Sequence, residues 1–543
     1  MVLIFHLDQN GKERIRLRQF SSEFQEKINR LGTGNVQQTV EQLREVGMSR
    51  VYAAIPAIIR MMDNRHSAII QAAEQAVATL LAVCPLTELV WLNEHVREWR
   101  PSPLEWKKSV EREMRTMDLA SATRLSVLTM HWSGYIREAA VRKMIENDQP
   151  YTFPYLLLRL NDWVPEIRDL AKLALERKRK PEYAKLWMEN IILVERLRIC
   201  GRDLFEEWIE SIHNLLRQKE CRYVIHSARV SPDAYIRRLA FRISIEENGT
   251  DNGMIIEQAL RDDDPSIRRW AAWQVDGILS GQNLKEALLR MQQDSIPSIR
   301  RESLASLATM FPEDAKEIIA DRLLDPDLSV RDTARRHGKQ WMKGSYAEWY
   351  LDMIWSEERG HLAAAIAGLG ETGEKADAEV VFDYAQHSVV AVRKAVIRGL
   401  TRLNPSSYGP YFINMLQDPQ PGISREACRA LRRHPHLIPP DEVAELLGDK
   451  AAKPHVIRNV LRIISVMDRW TQLGLLLRLL PTAQPEWVKH TLLRQLHNWV
   501  EFPNRSYGIR LTIVQLERLH QYLEWCRPEL DNDLIRRLEW LIQ

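Results

Sequence analysis

The feature that most constrains this chain is a phrase that returns along it with a near-constant step. Its fullest copy is Asp262-Asp263-Asp264-Pro265-Ser266-Ile267-Arg268-Arg269-Trp270-Ala271. An aspartate that accepts backbone N–H bonds, followed by a proline whose missing N–H costs nothing in the first turn, is how a helix starts. Ile267 then points into a core, Arg268 lies at its edge, and the small Ala271 lets another helix come close. With the arginine as marker, copies stand at Arg137, Arg168, Arg237, Arg268, Arg300, Arg331 and Arg393, with weaker ones at Arg425, Arg458 and Lys489. The steps between them are 31, 69, 31, 32, 31, 62, 32, 33 and 31 residues. Two steps are close to twice the others, so each hides a degenerate copy. In most copies a small residue follows the marker by three positions, as at Ala140, Ala171, Ala240 and Ala334. An aspartate precedes it by six or seven, as at Asp162, Asp294, Asp325 and Asp418. A fixed period near 31 with helical spacing inside each unit predicts an all-α solenoid of antiparallel helix pairs.

The phrase Asp-x-x-Pro-x-Ile/Val-Arg-x-x-Ala and its period resemble the HEAT-repeat family, most closely its short bacterial variety, the HEAT-like repeats of phycobilisome lyases. The resemblance covers about residues 121–500. It implies a right-handed α-solenoid whose concave groove and edge loops serve for binding. The repeat subtype alone also implies a chromophore-lyase or chaperone-like role.

The flanks differ from the array. Over residues 1–20, an apolar run from Val2 to Leu7, the turn signal Asp8-Gln9-Asn10-Gly11 and the alternating Arg14 to Arg18 predict a β-hairpin acting as an N-terminal cap. Residues 21–120 read as divergent helical repeats, with helices expected to stop at Gly32 and Gly47. The regular array fills 121–500, and 501–543 read as capping helices that cover the last apolar face. No run of about 18 apolar residues predicts a membrane span. The five scattered cysteines have neither metal-ligand nor redox spacing and read as reduced thiols of a cytoplasmic protein.

Catalytic signatures are missing from the sequence. There is no glycine-rich phosphate loop and no Gly-x-Ser-x-Gly elbow. None of the 15 histidines is followed by glutamate, which removes a His-Glu-x-x-His zinc site and the ligand pairs of the HEAT-repeat iron hydroxylases. The sequence therefore favours a binding protein over an enzyme and points to no cofactor and no metal.

Helical geometry gives the surface positions. Counted from the marker, −1, +3, +6 and +7 face the core, and +1, +5 and +8 face the groove. At +5 the ten copies give Arg142, Leu173, Arg242, Trp273, Ala305, Arg336, Arg398, Ala430, Ile463 and Arg494, a broken basic line. At +1 the signs mix, from Glu138 and Asp169 through Arg238, Arg269, Arg301 and Asp332 to Lys394, Glu426, Asn459 and His490. Mixed sign is what solvated helix faces show, and a nucleic-acid groove should be more uniformly basic. The net charge of +3 is too mild to demand a polyanionic partner. Candidate partner-binding residues are Arg142, Arg242, Trp273, Arg336, Arg398 and Arg494, with Trp132 and Trp163 in the turns before two markers. Exposed aromatics beside arginine suit a protein partner and can also stack on bases. The marker arginines Arg137, Arg168, Arg237, Arg268, Arg300, Arg331 and Arg393 are expected to pair with the recurrent aspartates and lock the stack. The leading expectation is a non-catalytic scaffold that grips another protein. The alternative is nucleic-acid binding in a basic groove, as in the HEAT-like DNA glycosylases.

Overall fold

The computed structural model describes residues 22–98, 106–245, 251–356, 360–448, 452–501 and 511–542. The expected hairpin over 1–20 lies outside the described residues. Those residues form α-helices and short 3-10 turns, and no strand occurs among them. No single helix among them is long and apolar enough to cross a membrane. The chain divides into two compact units, Met1–Ala271 and Ala272–Gln543.

After a first short helix, Ser22–Asn29, the N-terminal unit runs through α1 (Val36–Met48), α2 (Ser67–Ala82) and α3 (Leu89–Glu98). The expected stop of α1 at Gly47 is not where the helix ends. Gly47 is helical and buried, and a Cβ there would stand 2.9 Å from Ala76 Cα of α2. This glycine serves close packing, not termination.

The array follows with α4 (Gly134–Asn147), α5 (Phe153–Arg159), α6 (Pro165–Arg177), α7 (Ile191–Arg196), α8 (Glu206–Arg217) and α9 (Ala234–Ile245). The residues at −1 and +3 of the first two markers, Ile136, Ala140, Ile167 and Ala171, are fully buried. Burying each isoleucine contributes about 1.5–3 kcal/mol. The first hidden copy is α8. It carries no marker arginine, yet it packs on α9 and is tied to α6 by Trp208 Nε1 donating to Glu176 Oε1 at 2.5 Å.

The founding phrase opens α10 (Pro265–Ile278), inside which the two units divide. Asp264 Oδ1 accepts the N–H of Ser266 at 2.8 Å and of Ile267 at 3.1 Å, the capping that its sequence implies.

The C-terminal unit continues with α11 (Pro297–Met310), α12 (Leu328–Gly338), α13 (Leu362–Thr372), α14 (Val390–Leu403), α15 (Pro421–Arg433), α16 (Pro454–Ile464) and α17 (Glu486–Glu501). Each packs beside the next, with a partner helix or helical turn filling every loop between them. The second hidden copy is α13, which carries no arginine and whose residues from Ala364 to Gly370 are buried. Its contact with α14 is made backbone to backbone. A Cβ on Gly370 would lie 2.5 Å from Gly399 Cα, so this position leaves no room for a side chain.

Candidate functional site

The marker arginines and recurrent aspartates form one device. The Nη1 of each marker donates to carbonyls of the turn that starts its own helix. Arg137 reaches His131 and Trp132 at 3.0 Å, Arg237 reaches Ser231 at 2.8 Å, Arg268 reaches Asp262 at 2.8 Å and Arg393 reaches His387 at 2.8 Å. Other nitrogens of four markers reach the aspartate 25 residues further on. The distances are 2.7 Å for Arg137–Asp162, 2.8 Å for Arg237–Asp262, 2.7 Å for Arg300–Asp325 and 3.7 Å for Arg393–Asp418. The same carboxylates accept a backbone N–H two residues on, as Asp262 does from Asp264 at 2.8 Å and Asp418 from Gln420 at 2.7 Å. One arginine thus staples its own turn to the next.

Two of the three departures fall beside the hidden copies, and in the third Gln293 stands 25 residues after Arg268. Ser356 stands 25 residues after Arg331, and Arg331 turns instead to Glu371 of α13, which also accepts from Arg335 at 2.8 Å. Leu193 stands 25 residues after Arg168, which donates to the carbonyls of Asp162 at 2.9 Å and Trp163 at 3.4 Å. All seven markers are engaged with protein groups.

The candidate partner-binding residues of the N-terminal unit do not form a line. Arg142 is bonded to Glu138, one turn back, at 2.8 Å. Leu173 is exposed at the next +5 position. Arg242 is half-buried, and burial together with neighbouring Arg238 lowers its pKa. Trp132 is half-buried with its ring against His131, while Trp163 is 70% exposed with the Arg202 guanidinium 4.9 Å over its ring. In the C-terminal unit Trp273 is exposed, and Arg336 is bonded to Asp332 at 2.8 Å.

Further along the C-terminal unit the register read from the sequence is off by one residue. In the full copies Pro165–Arg168, Pro265–Arg268 and Pro297–Arg300 the marker stands three residues after the proline that opens the helix. By the same rule α15 and α16, which open at Pro421 and Pro454, have Ser424 and Ile457 in the marker position. Both are buried, whereas Arg425 and Arg458 are exposed. Ala430 and Ile463, assigned to the groove, are buried core residues. With no arginine at the true marker, the basic residue next to it stands in the sequence as the apparent marker. The spacing carried the signal, since Asp418 precedes Arg425 by seven residues where Asp162, Asp262, Asp294 and Asp325 precede their markers by six.

With the register restored, the +5 positions of α14 to α17 read Arg398, Arg429, Arg462 and Arg494, and the +1 positions read Lys394, Arg425, Arg458 and His490. All but the half-buried Lys394 are exposed. Across α14, α15 and α16 there are ten arginines and lysines and one acid, Glu426, in a chain whose net charge is only +3. Glu426 is buried and accepts from Arg398 and Arg429 at 2.7 Å each. Burial alone would raise its pKa, but the bond and charge of Arg398 prevail and hold it below the usual range. Neighbouring helices pack at about 8–10 Å, so the four span about 24–30 Å.

Repeated helix pairs stapled by arginine define the class as an α-solenoid of HEAT-like repeats. No family model matches the chain, and no curated protein does. Among solved structures it is similar to the complex of CpcE and CpcF of phycocyanin lyase from Nostoc sp. PCC7120, with 16% identity, TM-score 0.21, and cover of 52% of this chain and 97% of that one. It is also similar to importin beta, with 10% identity, TM-score 0.28, and cover of 96% and 67%. A third is the Cnd3–Cnd2 condensin subcomplex of S. pombe, with 12% identity, TM-score 0.28, and cover of 95% and 90%.

Proposed function

We propose that the chain is a non-catalytic scaffold that binds another protein, and that acidic segments of that partner dock across α14 to α17. The observation that carries this reading is the basic line at +5, which runs without interruption over four adjacent helices, with a second at +1 over the first three. Opposed charge of this kind steers encounter and fixes register more than it sets affinity. Exposed arginines are favoured over lysines for the purpose, because their planar fork matches a carboxylate.

A second reading is supported by the same lines, since a nucleic-acid surface is expected to be uniformly basic. The four helices carry two aromatic residues besides histidine, Trp487 and Trp499, and Trp499 is buried. That favours contacts to a phosphate backbone over stacking on splayed bases.

The test is capture from native lysate, with and without nuclease, at about 50 and 200 mM salt. The wild type is compared with a variant carrying Arg425→Gln, Arg458→Gln, Arg462→Gln and Arg494→Gln. Protein partners retained after nuclease and lost in the variant are the expected result. Partners lost with nuclease transfer the face to nucleic acid. Equal capture by both chains removes the face from function altogether.

A further inference from the structure

In the N-terminal unit, α3, α5 and α7 border a pocket of about 380 Å³. Behind it three arginines share a single carboxylate. Arg97 donates to Asp162 at 2.8 Å, Arg137 at 2.7 Å and Arg159 at 3.0 Å. The most accessible of these four side chains, Arg97, is 19% exposed. Buried positive charge therefore exceeds buried negative charge by two, and buried charge without a partner is costly.

Arg97 and Arg159 both line the pocket, and the Nε–H of each is buried with no acceptor. Arg159 is fully buried; its two terminal nitrogens are taken by Thr129 O, Asp162 and Asn93 Oδ1. Its pKa is pushed down to about 9, first by burial and then by the charge of Arg97, as befits a guanidinium short of negative charge. Leu157, Leu193 and Leu197 supply an apolar wall. Trp163, with Arg202 over its ring, stands on the same pocket. Glu94 and Glu98 also line it, but they are exposed, where water and salt screen them.

We propose that this pocket binds a small organic oxyanion, a carboxylate or phosphate on an apolar body, with the anionic head against Arg97, the buried charge of Arg159 behind it, and the body against the leucines and Trp163. Small-ligand sites are of this size and combine apolar walls with a few convergent polar groups. A planar guanidinium is suited to both oxyanions. The site is separate from the basic face of the C-terminal unit and stands or falls without it.

The test is calorimetric titration of the full chain with phenyl phosphate and with phenylacetate. One saturable site per chain is expected for at least one of them, and the tighter of the two identifies the head group. Arg97→Gln is expected to weaken binding about tenfold or more, the size of one charged hydrogen bond. Trp163→Ala is expected to weaken it less, and Arg462→Gln in the C-terminal unit not at all. If Arg97→Gln does not fold, Trp163→Ala and Arg202→Gln at the surface decide, with weaker binding in either supporting the site. Absence of saturable binding by both ligands overturns the proposal, as does unchanged affinity in every folded pocket variant.

Discussion

The N-terminal unit turns its marker arginines inward, while in α15 and α16 of the C-terminal unit the arginines beside the marker position face outward. Around Asp162, three guanidinium groups converge on one carboxylate and the charge is spent on holding turns together. In α15 and α16 a serine and an isoleucine fill the marker position, and the arginines one residue on reach solvent. A shift of one residue along a helix rotates a side chain by about 100°, enough to carry it from core to surface. Burial, and not residue type, decides whether arginine staples the stack or is available to a partner.

The contrast is broken or sharpened first at the two aspartates. Asp162→Ala leaves three buried arginines without their carboxylate, and the expected loss is about 3–5 kcal/mol. Asp418→Ala removes a partner 3.7 Å from a single arginine, Arg393, and the acceptor of the Gln420 N–H, and should cost about 1–2 kcal/mol. Urea unfolding followed by tryptophan fluorescence measures both. Equal losses would end the distinction between the units.

Where the C-terminal unit lacks the staple it uses backbone contact. Gly370→Ala forces a methyl group to within 2.5 Å of Gly399 Cα, and backbone on both sides cannot yield cheaply. The expected cost is about 1–3 kcal/mol, read from the same urea curves. A silent Gly370→Ala would show that α13 and α14 can slide apart without penalty.

Acid separates the units by a smaller margin. Burial would raise the pKa of Asp162, but the hydrogen bond from Arg137 and the charges of Arg159, Arg137 and Arg97 outweigh it and hold the carboxyl well below the usual range. A depressed folded value means that the stabilisation is complete above the ordinary aspartate pKa, about 3.9, and fades as pH falls toward the folded value. Thermal midpoints measured from pH 5 down to pH 3 should therefore fall more steeply in the wild type than in Asp162→Ala. Parallel curves would mean that Asp162 is not the group being protonated.

The repeat was legible because stacking imposes it. The proline start, the buried isoleucine at −1 and the alanine at +3 each answer a local packing demand, so they recur with the period. The basic face was legible only in part. Its positions are defined relative to the core, and in α15 and α16 the marker that fixed the phase had been replaced by Ser424 and Ile457. Asp418 keeps the phase, but Arg425 and Arg458, one residue past the marker position, give the stronger signal in the sequence. The pocket was not legible at all. Arg97, Arg159 and Arg202 belong to no repeat pattern, and Arg97 reaches Asp162 across 65 residues of sequence. Gly47 misled for a related reason, because close approach to Ala76 leaves no local trace that distinguishes it from a helix stop.

The smallest expected effect is the sharpest test of the division of labour. Arg142 sits at a +5 position in the N-terminal unit, exposed and paired with Glu138 one turn back. Such i,i+4 pairs contribute about 0.3–0.5 kcal/mol, with glutamate on the N-terminal side as the favourable order. Arg142→Ala should therefore move the urea midpoint barely beyond error and leave capture of partners unchanged. Arg462→Gln should be equally silent in urea, yet it removes one charge from the basic line and should weaken capture at about 50 mM salt more than at 200 mM, where screening has already taken part of the attraction. If Arg142→Ala weakens capture as much as Arg462→Gln does, the +5 positions act alike in both units, and the inward and outward arginines differ in structure without differing in use.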